Sequence, residues 1–149
     1  MNLIDKAVMI ALKVHGGKLD KAGVAYIMHP AAVAAKGRND AERILGWLHD
    51  VIEDSPEEVK AMVMAEIFDE FGEEIGNALD AISRRVGPLR ELYLAEYIVR
   101  VDKNPLARAV KIHDLLHNSD LSRIANPSHE DLSRVHRYRR ALDYFGIPF

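Results

Sequence analysis

The run His49-Asp50-Val51-Ile52-Glu53-Asp54 is the densest concentration of reactive side chains in the chain. Asp50, Glu53 and Asp54 are spaced i, i+3 and i+4, so on a helix these carboxylates crowd one face. Charges that close repel, and no Lys or Arg falls within the same turn. A bound cation, or a proton shared between two carboxylates, would remove the conflict. The plainer alternative is a solvated acidic helix end, with Asp54 and Ser55 capping the next helix.

Asp114 is the second candidate. In the segment 109–118, AVKIHDLLHN, Asp114 and Asn118 follow Val110 at successive i+4 steps and continue a stripe that begins apolar. An acid on such a stripe is costly to bury unless it is paired, hydrogen-bonded or bound to a metal. A salt bridge to Lys111 or Arg108 would satisfy it equally well. His29, directly before Pro30, is the third candidate. Taken alone, a histidine there reads as a structural hydrogen-bonding residue, and His15, His113, His117, His129 and His136 receive the same reading.

The elements that must position these residues are helical. Asn39 with Glu42, and Ser55 with Glu58, have capping-box spacing, and Pro56 stands at a favoured first helical position. Asn104–Pro105 repeats the cap-then-proline pattern, Pro127–Ser128 opens the last helix, and Gly72, Gly87 and Gly146 mark breaks. The spacing predicts helices over 2–15, 30–37, 40–53, 56–70, 73–85, 89–102, 105–118 and 128–145. Alternating β-branched runs are absent, so no strand is expected beyond a trivial hairpin. The stretch from Gly16 to His29 resists a helix. A loop of about a dozen residues in a compact domain is uncommon unless it has a task.

The 149 residues suit one all-α domain, 1–149. With 48% hydrophobic and 29% charged residues the chain is an ordinary globular one, which excludes disorder as the dominant state. No cysteine is present, so a metal must be held by His, Asp or Glu. A net charge of −3 argues against a general grip on polymeric nucleic acid, although a local basic patch can serve a small phosphorylated ligand. No stretch has the length of a membrane span. The N-terminal apolar residues recur at helical spacing and read as part of the fold rather than a signal peptide, which makes the cytoplasm the expected location.

Read together, His29, His49-Asp50 and Asp114 resemble the H…HD…D signature of the HD phosphohydrolase superfamily. The flanking segments narrow the resemblance. His15-Gly16-Gly17, Lys21-Ala22-Gly23, Tyr26-Ile27-Met28-His29-Pro30, the 49–54 run and Asp114-Leu115-Leu116-His117-Asn118 are similar to the hydrolase domain of RelA/SpoT proteins, in particular the small stand-alone alarmone hydrolases. The resemblance implies an all-α HD-domain bundle in which His29, His49, Asp50 and Asp114 ligate Mn²⁺ or another divalent ion. It also implies that Glu53 and Asp54 position and deprotonate the attacking water, and that Lys21, Tyr26 and Asn118 contact the nucleotide. The expected reaction is removal of pyrophosphate from the 3′ position of guanosine tetra- or pentaphosphate.

The family's loop usually carries a base-contacting arginine just before Lys21; here that position is Asp20, and Ala22 and Ala25 also depart from the pattern. An acid at position 20 is expected to repel a polyanion. Two alternatives stand beside the main reading. One is the same chemistry on another nucleotide, such as a 2′- or 3′-phosphorylated dinucleotide cofactor; the other is a non-catalytic nucleotide-binding module.

Overall fold

The computed structural model describes residues 1–85 and 91–148. Among these residues the chain is helical, with one isolated antiparallel bridge between Leu19 and Ala25 in the expected loop. The helices are α1 (Leu3–His15), α2 (Met28–Ala35), α3 (Asp40–Leu48), α4 (Val51–Asp54), α5 (Lys60–Phe71), α6 (Glu73–Ile82), α7 (Val99–Asp102), α8 (Pro105–Asn118) and α9 (His129–Tyr144). A 3₁₀ turn, Glu57–Val59, leads into α5, and a π-helical segment, Tyr93–Ile98, runs directly into α7. No helix among the described residues is long and apolar enough to cross a membrane.

Helix α3 is the centre of the packing. It lies against α1, α2, α6 and α8, and its Leu45 and Leu48 are fully buried. Gly46 sets how closely α2 approaches: a Cβ at that position would lie 2.7 Å from Ala34 Cα and 2.8 Å from its backbone nitrogen. Only a glycine allows two helices to approach to that distance. The contact brings the start of α2, with His29, against the end of α3, with His49.

Several helix starts follow the sequence signals. Asn39 accepts from Glu42 N at 2.9 Å, Asn104 accepts from Ala107 N at 3.0 Å, and Ser128 forms a full capping box with Asp131. At α3 the reciprocal half of the box is absent, because the Glu42 carboxylate turns to the Arg38 backbone and guanidinium. Gly72 and Gly146 mark breaks with φ of 89° and 75°.

Other boundaries differ from the spacing. The helix expected over 40–53 divides, because His49 folds its ring back on the Gly46 carbonyl and Asp50 takes φ −101°, ψ 0°. Helix α2 begins two residues earlier than expected; Pro30 is tolerated in its first turn, where no intrahelical N–H bond is required. Ser55 does not cap: its hydroxyl donates back to Val51 O at 2.7 Å, and the next segment starts as a 3₁₀ turn after Pro56. Within the region expected over 89–102, the Leu92 carbonyl accepts from both Glu96 N and Tyr97 N, which widens the turn to a π-helix. Gly87 lies outside the described residues.

Candidate metal and phosphate site

Four side chains from α2, the α3–α4 junction and α8 meet at one point. His29 Nε2 lies 2.8 Å from Asp114 Oδ1 and 3.2 Å from His49 Nε2. His49 Nε2 lies 3.3 Å from Asp114 Oδ1 and 3.2 Å from Asp50 Oδ2. His29 Nε2 is 3.7 Å from Asp50 Oδ2. These atoms have the mutual spacing that ligands take around one small cation with bonds of about 2.1 Å. His29, His49 and Asp50 satisfy the spacing of a three-residue metal cluster, and Asp114 Oδ1 touches both imidazoles.

The surrounding contacts hold each of these donors in place. A carbonyl only accepts, so His49 Nδ1 must carry a proton to bond Gly46 O at 2.7 Å, and in the neutral ring Nε2 is the free lone pair facing the cluster. His29 Nδ1 is 2.7 Å from His117 Nδ1, and the two rings stack at 4.9 Å. Asp114 Oδ2 accepts from the buried Lys111 Nζ at 2.8 Å, while Asn118 Nδ2 donates to Oδ1 at 2.9 Å. The salt bridge considered as an alternative for Asp114 is therefore present, together with the imidazole contacts rather than in place of them. Arg108 instead pairs with Asp102.

Burial works against charge on His49, but Asp50 and Asp114 outweigh it and raise its pKa well above the usual histidine range. The donor set of two nitrogens and two carboxylates suits a borderline-to-hard divalent ion. The residues present fit such an ion.

Glu53 and Asp54 lie one turn further on, on α4. Burial, reinforced by the charge of Asp50, pushes Glu53 up to about 7, although its Oε1 accepts from Arg84 N at 2.6 Å. Burial and Asp50 also raise Asp54. Asp54 Oδ2 sits 3.5 Å from Nδ1 of His15, a fully buried ring with no hydrogen-bond partner among the described residues. Burial pulls that imidazole down to about 4, so it is neutral at physiological pH.

Lys21, Tyr26 and Asn118 all line one cavity of about 380 Å³. Tyr26 Oη donates to Asp50 Oδ2 at 2.5 Å, and Asn118 binds Asp114, so two of the cavity walls are also supports of the cluster. The sequence reading names Lys111 as a partner of Asp114, but it assigns no role at the site to His117 or to the cavity residues Arg123, Arg134 and Tyr138. Arg134 and Tyr138 share a face of α9 at i, i+4 spacing, a signal common to any amphipathic helix.

No family model matches the chain. Among curated proteins it is similar to a probable guanosine-3′,5′-bis(diphosphate) 3′-pyrophosphohydrolase of Synechocystis sp., 30% identical over 78% of this chain and 16% of the relative. A guanosine-3′,5′-bis(diphosphate) 3′-pyrophosphohydrolase of Borreliella burgdorferi is 39% identical over 54% of this chain and 12% of its own length. A probable GTP pyrophosphokinase of Mycobacterium leprae is 26% identical over 85% of this chain and 17% of its own length. The chain thus spans about a sixth, or less, of the curated relatives it matches. It is a relative of the RelA/SpoT proteins.

Proposed function

We propose that the chain is a metal-dependent phosphohydrolase that releases pyrophosphate from the 3′ position of guanosine tetra- or pentaphosphate. The observation that carries this reading is the convergence of His29, His49, Asp50 and Asp114 beside a cavity lined by Lys21, Arg123 and Arg134. His29, His49, Asp50 and Asp114 would hold Mn²⁺ or another divalent ion, which when bound supplies Lewis acidity toward phosphate oxygen and acidifies water. Lys111 and His117 keep Asp114 and His29 oriented. Glu53, one turn beyond Asp50, can take a proton from the attacking water and return one to the ribose 3′ oxygen as the bond to phosphorus breaks. Asp54, beside the neutral His15, assists from the adjacent position.

Curated relatives named as guanosine-3′,5′-bis(diphosphate) 3′-pyrophosphohydrolases support this assignment. The test is purified protein with Mn²⁺ against a panel of phosphorylated nucleotides, with phosphate and pyrophosphate both measured. Pyrophosphate from the guanosine alarmones is the expected result. Orthophosphate from a 2′-phosphorylated dinucleotide would move the substrate assignment, and absence of turnover across the panel would leave a binding module.

A further inference from the structure

Asp20 lies in the loop between α1 and α2, and its carboxylate does not face the cavity unpartnered. Oδ1 accepts from Ala22 N and Val24 N, both at 2.9 Å, which folds the loop around it. Oδ2 lies 3.2 Å from Nη1 of Arg123, a residue 103 positions away between α8 and α9. Both residues line the cavity, and Arg123 remains 38% exposed in its side chain, so the pair does not remove the guanidinium from use.

Tyr26 and Asn118 join the cavity to the cluster, since each lines the cavity and touches a cluster carboxylate. Beyond them the cavity offers cations from Lys21, Arg123 and Arg134. Arg134 is already engaged by Asp131 on its own helix. Arg123 differs in that its anchor comes from the opposite loop. A planar guanidinium fixed on one edge by a carboxylate keeps its face and its other N–H groups available. A volume of about 380 Å³ falls in the lower part of the range for small-molecule sites.

We infer that Arg123, held in place by Asp20, is a nucleotide-contacting residue that supplies a cation to the cavity from the α8–α9 loop. The nucleotide meets the Arg123 guanidinium in the cavity while its 3′ phosphates meet the cluster. Asp20 is the positioning residue of this pair. The inference rests on the hydrolase reading above and refines the substrate contacts of the same site.

Arg123→Ala and Asp20→Asn separate the two roles. Asn keeps the oxygen that accepts from Ala22 and Val24 but loses the charge that holds Arg123. With Mn²⁺ and guanosine tetraphosphate, Arg123→Ala should raise KM about tenfold with kcat within about twofold. Asp20→Asn should raise KM about threefold, and that effect should vanish when Arg123 is already Ala. Arg123→Lys should recover less than half of the loss on a logarithmic scale, because a point charge does not reproduce the planar fork. Unchanged KM in Arg123→Ala, with the wild type active, overturns the inference and leaves the hydrolase reading standing. A wild type that turns over no guanosine alarmone removes both.

Discussion

Asp114 divides its carboxylate between two tasks: Oδ2 lies 2.8 Å from Lys111 Nζ, and Oδ1 lies 2.8 Å from His29 Nε2. Burial disfavours charge on both Lys111 and Asp114, yet each holds the other ionised, Lys111 well above and Asp114 well below its usual range. Removing the lysine alone leaves a buried carboxylate short of positive charge. Lys111→Met should therefore destabilise the metal-free protein by about 3 kcal/mol. Added Mn²⁺ should recover more of the melting temperature in this variant than in the wild type, since the ion supplies the missing charge. Thermal melts with and without Mn²⁺ check both statements, and equal melting of variant and wild type would contradict them.

Asp50→Ala and Asp114→Ala should each abolish metal retention. Each removes a negative donor facing both imidazoles, and the remaining groups cannot balance a divalent charge. Elemental analysis of washed protein is the measurement. Full occupancy in both variants would remove these residues from the ligand set.

Glu53→Gln should keep near-normal metal content and lose about 100-fold or more in hydrolysis, the range of an absent general base. Loss of metal instead would make Glu53 a ligand.

The same variant has a pH signature in the metal-free protein. The folded-state pKa of Glu53 is raised from 4.5 to about 7, so the folded chain retains a proton that the unfolded chain has released. Stability contributed by this group therefore falls as pH rises through that interval. Gln carries no charge and keeps an oxygen for Arg84 N–H. Glu53→Gln should match the wild type near pH 4.5 and exceed it by about 1–3 kcal/mol at pH 8. Chemical denaturation at the two pH values decides it; a constant difference would contradict the raised pKa.

Gly46→Ala tests the helix contact beneath the site. Its Cβ would fall 2.7 Å from the Ala34 backbone, so α2 and α3 must separate. A cost of about 1–3 kcal/mol is expected, with weaker metal binding because His29 and His49 ride on those two helices. Unchanged melting and Mn²⁺ affinity would show that the contact relaxes freely.

Local chemistry was legible in the sequence where it is short-ranged. The caps at Asn39, Asn104 and Ser128 act within three residues, and the structure starts their helices where the sequence predicts. The split at His49–Asp50 was not legible, because it depends on a side chain folding back on its own backbone and on Tyr26 bonding Asp50 from another segment. The HD and H…D residues stand out only through their resemblance to a family pattern; in isolation each has an equally good structural reading. His117 shows the remaining gap. It lies i+3 from Asp114 and so shares that face of α8, whereas His113 is adjacent to Asp114 and turned off it; accordingly His117 stacks on His29 while His113 faces Glu42.

The site also has no local precursor in the chain. His29 and Asp114 are 85 residues apart, and His49 and Asp114 are 65 apart, so their donor atoms meet only after α2, α3 and α8 have docked. Loop closures of that length must be completed before any one of them is rewarded. A partly folded chain therefore presents separate His and Asp side chains, each a poor ligand. An ion that binds the assembled cluster holds three helices against one another, and its binding free energy adds almost wholly to the stability of the folded state.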